Sequence, residues 1–258
     1  MANKPRSAVF TTVLWDGGTK IADFNQHLDR LRSHAERLRI DLPEDFVDRI
    51  SEQIIILDGQ QSDEIQLLNI TYNCEDDEVR LTPRPLPRLR NCEMHALTLP
   101  LKKWLGAITG TKHGDWQPYR DAKTTAEENG ADIALLIDQY CVIDSDRASM
   151  IVIDEDGVAY LSNSQDAVRG ITLEVLIPYL TAEGIPVNYA RLNERLIARC
   201  SELIAVGVGI GTCHIVTIDG EQVGSAEATI LPKLIAYLAQ HYSNICLLYT
   251  SDAADEDL

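Results

Sequence analysis

The order of apolar and polar residues along the chain predicts alternating strands and helices. Residues 8–15 are rich in β-branched and aromatic side chains and end at an Asp-Gly-Gly turn, which predicts a strand. Residues 24–39 place leucine and alanine side chains near helical spacing, which predicts an amphipathic helix. Further helices are predicted at residues 43–57, 118–129, 172–183, 194–200 and 226–242. Further strands are predicted at residues 65–73, 79–82, 94–100, 133–138, 141–144, 150–153, 158–161, 203–206 and 214–218.

The rhythm of these elements changes near residues 104–111. Before that point lies a proline-rich segment, residues 83–87, which cannot form a central strand because proline removes ladder donors. After it come short strands separated by turn residues. We therefore expect an α/β (α+β) fold with two domains. The expected parts are a small α/β domain at residues 1–105, a linker at 106–111, a larger domain at 112–245 and a tail at 246–258.

The tail at residues 246–258 differs from the rest of the chain. It follows the last predicted helix, is acidic and polar, and resembles a translated sequencing adapter. We expect it to be non-native or disordered, and residues 249–258 to be dispensable. The alternative is a genuine acidic tail.

Charge and cysteine content narrow the possible partners. The net charge of −17 argues against a nucleic-acid-binding protein, which needs a basic face. The six cysteines form no C-x-x-C pair and no Cys/His cluster with zinc-ligand spacing, so we expect reduced thiols and no metal site. The first residues lack the apolar core of a signal peptide, and no apolar stretch is long enough for a membrane span. These features predict a cytoplasmic protein without a membrane partner.

Four places along the chain carry candidate chemistry. Lys112 follows a connector and precedes a predicted helix, so its amine could attack a carbonyl group. Asp144 ends a predicted strand. Gly170-Ile171-Thr172 opens a predicted helix, where free backbone N–H groups attract phosphate. Residues 207–209 form a glycine-rich turn. Each also has an ordinary explanation, namely a solvated lysine, a turn aspartate, a plain helix cap and a turn between core strands.

In this order and at these spacings, the four places resemble the fold-type IV pyridoxal-phosphate enzymes. That family includes branched-chain aminotransferases, D-amino acid aminotransferases and aminodeoxychorismate lyases. The resemblance covers residues 8–242 and implies the two-domain fold of that family, with a shortened small domain. It also implies pyridoxal 5′-phosphate as the cofactor and a homodimer as the assembly. Lys112 is then the implied catalytic residue, which binds the cofactor covalently and moves a proton at the substrate's α-carbon.

The resemblance also implies roles for the other candidates. Asp144 would face the pyridine nitrogen of the cofactor. Arg30, in a His-x-x-Arg-Leu segment, would bind the phosphate with Gly170, Ile171 and Thr172. The turn formed by Val208 and Gly209 would offer backbone N–H groups to the phosphate or to a substrate carboxylate.

Several positions depart from the family pattern. The family usually has asparagine and often has tyrosine where this chain has Asp115 and Trp116. It has glutamate in place of Asp144, asparagine in place of Ser149 and often arginine in place of Leu173. Its branched-chain members have threonine in place of Val208. The small-domain Arg-Gly signature of the branched-chain members is absent from residues 65–100.

The sequence therefore predicts a class IV aminotransferase that acts on small α-amino acids and keto acids, similar to the branched-chain enzymes. One alternative is an aminodeoxychorismate lyase, which eliminates pyruvate. His113 beside Lys112 and the Thr11-Thr12 pair favour it. Another alternative is a non-catalytic relative, which the departures favour.

Overall fold

The computed structural model describes residues 4–58, 65–87, 93–225 and 227–244. The predicted dispensable residues 249–258 lie outside these ranges, as do Cys92 and Cys246. Within the described ranges, no helix has the length and apolar character needed to cross a membrane. The same ranges contain no group of three or more His, Cys, Asp or Glu side chains placed to hold a metal ion.

A three-stranded antiparallel sheet forms the first part of the molecule. Its strands are β1 (Ala8–Trp15), β2 (Gln66–Asn73) and β3 (Glu78–Pro85), in that order. Two helices, α1 (Phe24–Leu38) and α2 (Phe46–Asp58), contribute apolar side chains to the same core. Side chains alternate along β1, so that Val9, Thr11 and Val13 are buried in this core. Phe10, Thr12 and Leu14 therefore project from the opposite face of the sheet.

A ten-stranded mixed sheet forms the second part. Its strands are β4 (Glu93–Pro100), β5 (Ile133–Asp138), β6 (Cys141–Ser145), β7 (Ser149–Asp154), β8 (Ala159–Ser162), β9 (Val187–Ala190), β10 (Leu192–Asn193), β11 (Cys200–Gly207), β12 (Gly211–Ile218) and β13 (Glu221–Gln222). Their order is β10-β6-β5-β4-β12-β11-β7-β8-β9, and β13 pairs with β12. The pairs β4–β5, β4–β12 and β8–β9 are parallel, and the other pairs are antiparallel.

Four further helices cover this sheet. They are α3 (Gln117–Glu128), α4 (Ile171–Ala182), α5 (Glu194–Ile197) and α6 (Leu231–Asn244). The start of α6 is held by the buried carboxylate of Glu202, which accepts hydrogen bonds from the backbone N–H groups of Thr229, Ile230 and Leu231 at 2.7–2.9 Å. A carboxylate suits this place because the first N–H groups of a helix have no partner inside it.

The predicted α/β fold class is confirmed, and the element boundaries differ in places. Helix α6 begins at Leu231 rather than 226, with proline in its first turn. Helix α5 ends at Ile197 because the chain enters β11 at Cys200, earlier than the predicted strand at 203–206. Strands β9, β10 and β13 were not predicted. The division into two domains stays a prediction, with one difference: β4 belongs to the larger sheet although it precedes residue 105.

Candidate active site

A pocket of about 70 Å³ lies between the outer face of the small sheet, helix α1 and the large sheet. The structure brings seven of the eight predicted site residues to its wall, which are Arg30, Lys112, Asp144, Gly170, Ile171, Thr172 and Val208. Gly209 is not among the lining residues. A Cβ atom at Gly209 would instead lie 3.3 Å from Leu67 Cδ1 of the small sheet. The roles of these residues stay predictions, but their convergence on one pocket is a feature of the fold.

Lys112 enters the pocket from a backbone that is fixed on both sides. Its N–H group donates to His34 Nδ1 at 3.1 Å, and its carbonyl accepts from Phe10 N at 3.3 Å. Its Nζ atom lies 5.1 Å from the ring centroid of Phe10 and 4.7 Å from that of Trp116. These distances allow cation–π contacts with both rings when the amine is protonated.

Burial lowers the pKa of Lys112 to about 7, and the charge of Arg30 acts in the same direction. Asp144 partly opposes the change. A substantial share of the amine is therefore neutral near pH 7. Since only the neutral amine is a nucleophile, this environment suits a lysine that forms covalent bonds.

Asp144 is buried at the end of β6. Its Oδ1 accepts from Ser145 N at 2.9 Å, and its Oδ2 accepts from Val168 N at 3.0 Å and from the Tyr119 hydroxyl at 3.4 Å. Burial raises the pKa of Asp144 to about 7, although these hydrogen bonds and the charge of Lys112 oppose the rise. The carboxyl group is thus held rigidly and can carry a proton or a negative charge near neutral pH.

The part of the pocket around Arg30 is suited to an anion. The Arg30 guanidinium donates from Nη1 to the carbonyl of Arg169 at 3.0 Å and from Nη2 to Thr11 Oγ1 at 2.8 Å. Its Nε atom is buried and has no hydrogen-bond partner among the described residues. Beside it, α4 begins after Gly170 with no side-chain cap from the described part of the chain, which leaves backbone N–H groups for a ligand. A free buried guanidinium donor next to a helix start fits the phosphate of the cofactor that the resemblance implies.

Gly170 gives this end of the pocket its close packing. A Cβ atom at this position would lie 2.6 Å from Ser149 Oγ, which is too short for contact. Gly207 is similar, since a Cβ atom there would lie 2.8 Å from the carbonyl oxygen of Arg147. Position 207 therefore needs glycine because the close atom belongs to the backbone, whereas a side chain at Gly170 would require the Ser149 hydroxyl to rotate away.

A buried hydrogen-bond chain that sequence reasoning missed orients Arg30. Thr11 Oγ1 accepts from Arg30 and lies 2.8 Å from His27 Nδ1. Arg30 Nη2, which can only donate, also lies 3.5 Å from this nitrogen, which favours Nδ1 as an acceptor and the Thr11 hydroxyl as its donor. His27 is then neutral and carries its proton on Nε2. This assignment agrees with the pKa of His27, which burial and the charges of Arg30 and Lys112 lower well below its ordinary value. The His-x-x-Arg spacing was the only sequence signal, because Thr11 lies on a different element.

A second series of hydrogen bonds reaches the pocket wall from the small sheet. The Thr71 hydroxyl donates to Asn69 Oδ1 at 2.6 Å, and Asn69 Nδ2 donates to Thr12 Oγ1 at 3.2 Å. Because Thr12 accepts from Asn69, its own hydroxyl proton is left for another acceptor. Thr12 lines the pocket, so that acceptor can belong to a ligand.

Aromatic rings form one wall. Trp116 lies between Phe10, which meets it edge-on at 5.1 Å, and Tyr119, which stacks on it at 3.9 Å. Tyr119 was not predicted as a site residue, although it follows Trp116 at i,i+3 spacing on the same face of α3. His113 faces elsewhere: its ring lies 4.4 Å from Trp104, and it does not line the pocket. The position of His113 next to Lys112 in the sequence therefore does not support lyase chemistry.

The environment of Asp144 predicts a pH dependence of stability. Because its pKa in the folded protein, about 7, is above the unfolded value of about 3.9, the folded state holds the proton more tightly. The resulting stabilisation is complete below the unfolded value and is lost as the pH rises through 7. In urea unfolding of the cofactor-free protein at pH 4.5 to 7.5, we expect wild type to lose more stability than Asp144→Asn over this range. The exposed Asp121→Asn is the matched control and should follow wild type. Parallel curves for wild type and Asp144→Asn would contradict the assignment.

The chain is similar to known proteins in sequence pattern and in fold. A family model described as amino-transferase class IV matches residues 8–218. No curated protein matches the chain. The branched-chain amino acid aminotransferase of Escherichia coli has a similar structure, with a TM-score of 0.79 and 15% identity over 97% of this chain and 89% of that chain. The pyridoxal-phosphate-bound form of a hypothetical aminotransferase from Mycobacterium tuberculosis has a TM-score of 0.77 and 15% identity over 92% and 89% of the two chains. A Legionella pneumophila protein provisionally described as a 4-amino-4-deoxychorismate lyase has a TM-score of 0.75 and 18% identity over 91% of each chain. At these identities the structural likeness shows the fold alone.

Proposed function

The chain belongs to the class IV aminotransferase family, and on that premise we propose that it transfers amino groups between small α-amino acids and α-keto acids. The family consists of enzymes that use pyridoxal phosphate. The observation that carries the proposal is the convergence of Lys112, Asp144 and the Arg30–α4 anion site on one pocket. A nucleophilic amine, a buried carboxyl group and a phosphate site are the three groups that this cofactor requires from a protein.

The residues have separate tasks. When bound, pyridoxal phosphate supplies an electron sink that stabilises negative charge at the α-carbon of an amino acid. Arg30 and the N–H groups at the start of α4 would hold its phosphate. Asp144 would pair with the ring nitrogen and keep it protonated, and its hydrogen bonds from Val168 and Tyr119 fix the carboxylate in place. Asp144 is one methylene shorter than the family's glutamate, so this pairing is part of the proposal.

Lys112 would perform the proton transfers. Its Nζ atom would take a proton from the α-carbon of the amino acid and return it on the other side of the reaction. A pKa of about 7 suits both directions, because the amine is then neither fully protonated nor fully neutral at physiological pH. Phe10 and Trp116 flank the amine.

A second candidate function is the elimination of pyruvate, as in aminodeoxychorismate lyases. The observation that favours it is Thr12, which lines the pocket and has a hydroxyl proton free for a ligand. The third reading, a non-catalytic relative, is opposed by the unpartnered Arg30 Nε atom and by the depressed pKa of Lys112. A homodimer and a cytoplasmic location stay predictions.

One experiment separates the three readings. The purified protein is mixed with pyridoxal phosphate, and we expect a visible absorbance band at roughly 400–430 nm, where the cofactor absorbs when bound to a lysine. Borohydride reduction should then leave the cofactor mass on the peptide that contains Lys112. A new amino acid formed only when an α-keto acid acceptor is present would support the transaminase. Pyruvate released from aminodeoxychorismate without an acceptor would indicate the lyase, and the absence of both band and label would leave the non-catalytic reading.

A further inference from the structure

Two faces of helix α1 make different contacts. One carries the apolar side chains Leu28, Leu31, Ala35 and Leu38, which pack in the core of the small sheet. The other carries a stripe of basic side chains at i, i+3, i+7 and i+10, formed by His27, Arg30, His34 and Arg37. The first three contact groups already described, at Thr11, Arg169 and Lys112. The fourth, Arg37, does not line the candidate active-site pocket.

Arg37 binds four backbone carbonyl groups. Three belong to the segment just before Lys112: Nε donates to Ala107 O at 3.1 Å, Nη2 to Thr109 O at 2.7 Å and Nη1 to Gly110 O at 3.3 Å. Nη2 also donates to Gln165 O at 3.3 Å. That fourth carbonyl lies in the loop that leads to the helix start at Gly170. A single half-buried side chain therefore joins the segment that carries Lys112 to the loop that carries the anion site.

The same two segments are in direct contact beside Arg37. Gly110 has a positive φ of +79°, and a Cβ atom on it would lie 2.3 Å from the carbonyl oxygen of Gln165. Lys103 adds an ion pair to Asp166 at 3.1 Å. Carbonyl oxygens of both segments accept hydrogen bonds from the Arg37 guanidinium, and its positive charge favours their proximity.

We propose that Arg37 is a positioning residue that holds the Lys112 segment against the loop before Gly170, so that the amine and the anion site face one ligand. This inference rests on the proposed function, since the ligand is the cofactor that would bridge both groups. Arginine suits the position because its planar guanidinium presents five donors in a fixed geometry. A lysine has three donors on one atom and cannot reach carbonyl groups on two sides at these distances.

The test compares Arg37→Met and Arg37→Lys with wild type and with Arg32→Met. Arg32 is a matched control because it lies on the same helix, is exposed and, among the described residues, has a single ion pair, with Asp29. Two quantities are measured: amide hydrogen exchange at residues 108–112 in the cofactor-free protein, and the dissociation constant of pyridoxal phosphate. Exchange in β1 and β2 reports whether each variant is folded.

For Arg37→Met we expect exchange at Thr111 and Lys112 to rise at least about tenfold and the dissociation constant to rise about tenfold to a hundredfold. Arg37→Lys should restore only a minor part of the slow exchange and of the cofactor affinity. In Arg32→Met, the exchange rates and the dissociation constant should both stay within about twofold of wild type. If Arg37→Met does not fold, the same two quantities are compared between Arg37→Lys and Arg32→Met.

Two results would overturn the inference. One is unchanged exchange in Arg37→Met. The other is faster exchange with an unchanged dissociation constant, which would show that Arg37 stabilises the linker without placing the site. If wild type itself binds no pyridoxal phosphate, the proposed function fails, and exchange in the cofactor-free protein still decides whether Arg37 holds the two segments together.

Discussion

Lys112→Ala should lose covalent attachment of pyridoxal phosphate and fall in turnover by on the order of a thousandfold or more. The reason is that Lys112 contributes the sole primary amine among the described residues that line the pocket. Borohydride reduction followed by peptide mass analysis measures the attachment, and amino acid formation measures the turnover. The anion site is unchanged in this variant, so non-covalent binding of the cofactor should persist.

The control for this experiment is Lys102→Ala. Lys102 is an exposed lysine between the end of β4 and Lys112, ten residues before Lys112. It should keep both the visible band and full turnover. If Lys112→Ala keeps the reducible band and its activity, another lysine carries the cofactor and the proposed assignment is wrong.

Arg30→Met should weaken pyridoxal phosphate binding by about tenfold to a hundredfold, which is the usual effect of losing charge-assisted hydrogen bonds to an anion. The loss should depend on the phosphate. Binding of pyridoxal, which lacks that group, should change by less than about threefold. Isothermal titration with each ligand in turn gives the two dissociation constants, and their ratio isolates the phosphate contribution from general damage to the pocket.

Arg30 also donates to Arg169 and Thr11, so its removal affects the protein as well as the ligand. Arg30→Lys keeps the positive charge but loses the planar set of guanidinium donors, so we expect an intermediate loss of affinity for pyridoxal phosphate. Thr11→Val leaves the guanidinium in place and removes its orienting acceptor, so it should show a smaller loss with the same preference for the phosphorylated ligand. Equal losses for both ligands in Arg30→Met would place the phosphate elsewhere in the pocket.

The sequence predicted the parts of the site that have a local signature. Lys112 precedes α3, Asp144 lies near the end of β6 and Gly170-Ile171-Thr172 begins α4, and the fold brings all of them to one pocket. The residues that were missed act across long sequence separations. His34 accepts from the N–H group of Lys112, and Tyr119 donates to Asp144. Nothing in the local sequence around His34 or Tyr119 shows which distant residue each side chain will contact.

The same reason explains the differences in the fold. The start of α6 depends on Glu202, which comes from a strand well before the helix, so helix periodicity alone placed the start too early. The assignment of β4 to the large sheet depends on its two neighbouring strands, β5 and β12. Apolar patterning identifies a strand at residues 94–100 and carries no information about which neighbours it will pair with.

The place of β4 has a consequence for biosynthesis. Both edges of β4 are covered by parallel partners, and parallel pairs need long crossovers. One partner, β5, leaves the ribosome soon after β4, whereas β12 at Gly211–Ile218 is among the last strands to be made. During translation at 5–20 residues per second, roughly the common range, one edge of β4 stays unpaired for several seconds. Any truncated product that ends before Gly211 keeps that open edge permanently, and such edges recruit other chains. Partial translation products of this protein should therefore aggregate, and its yield should depend on chaperones that shield nascent strands.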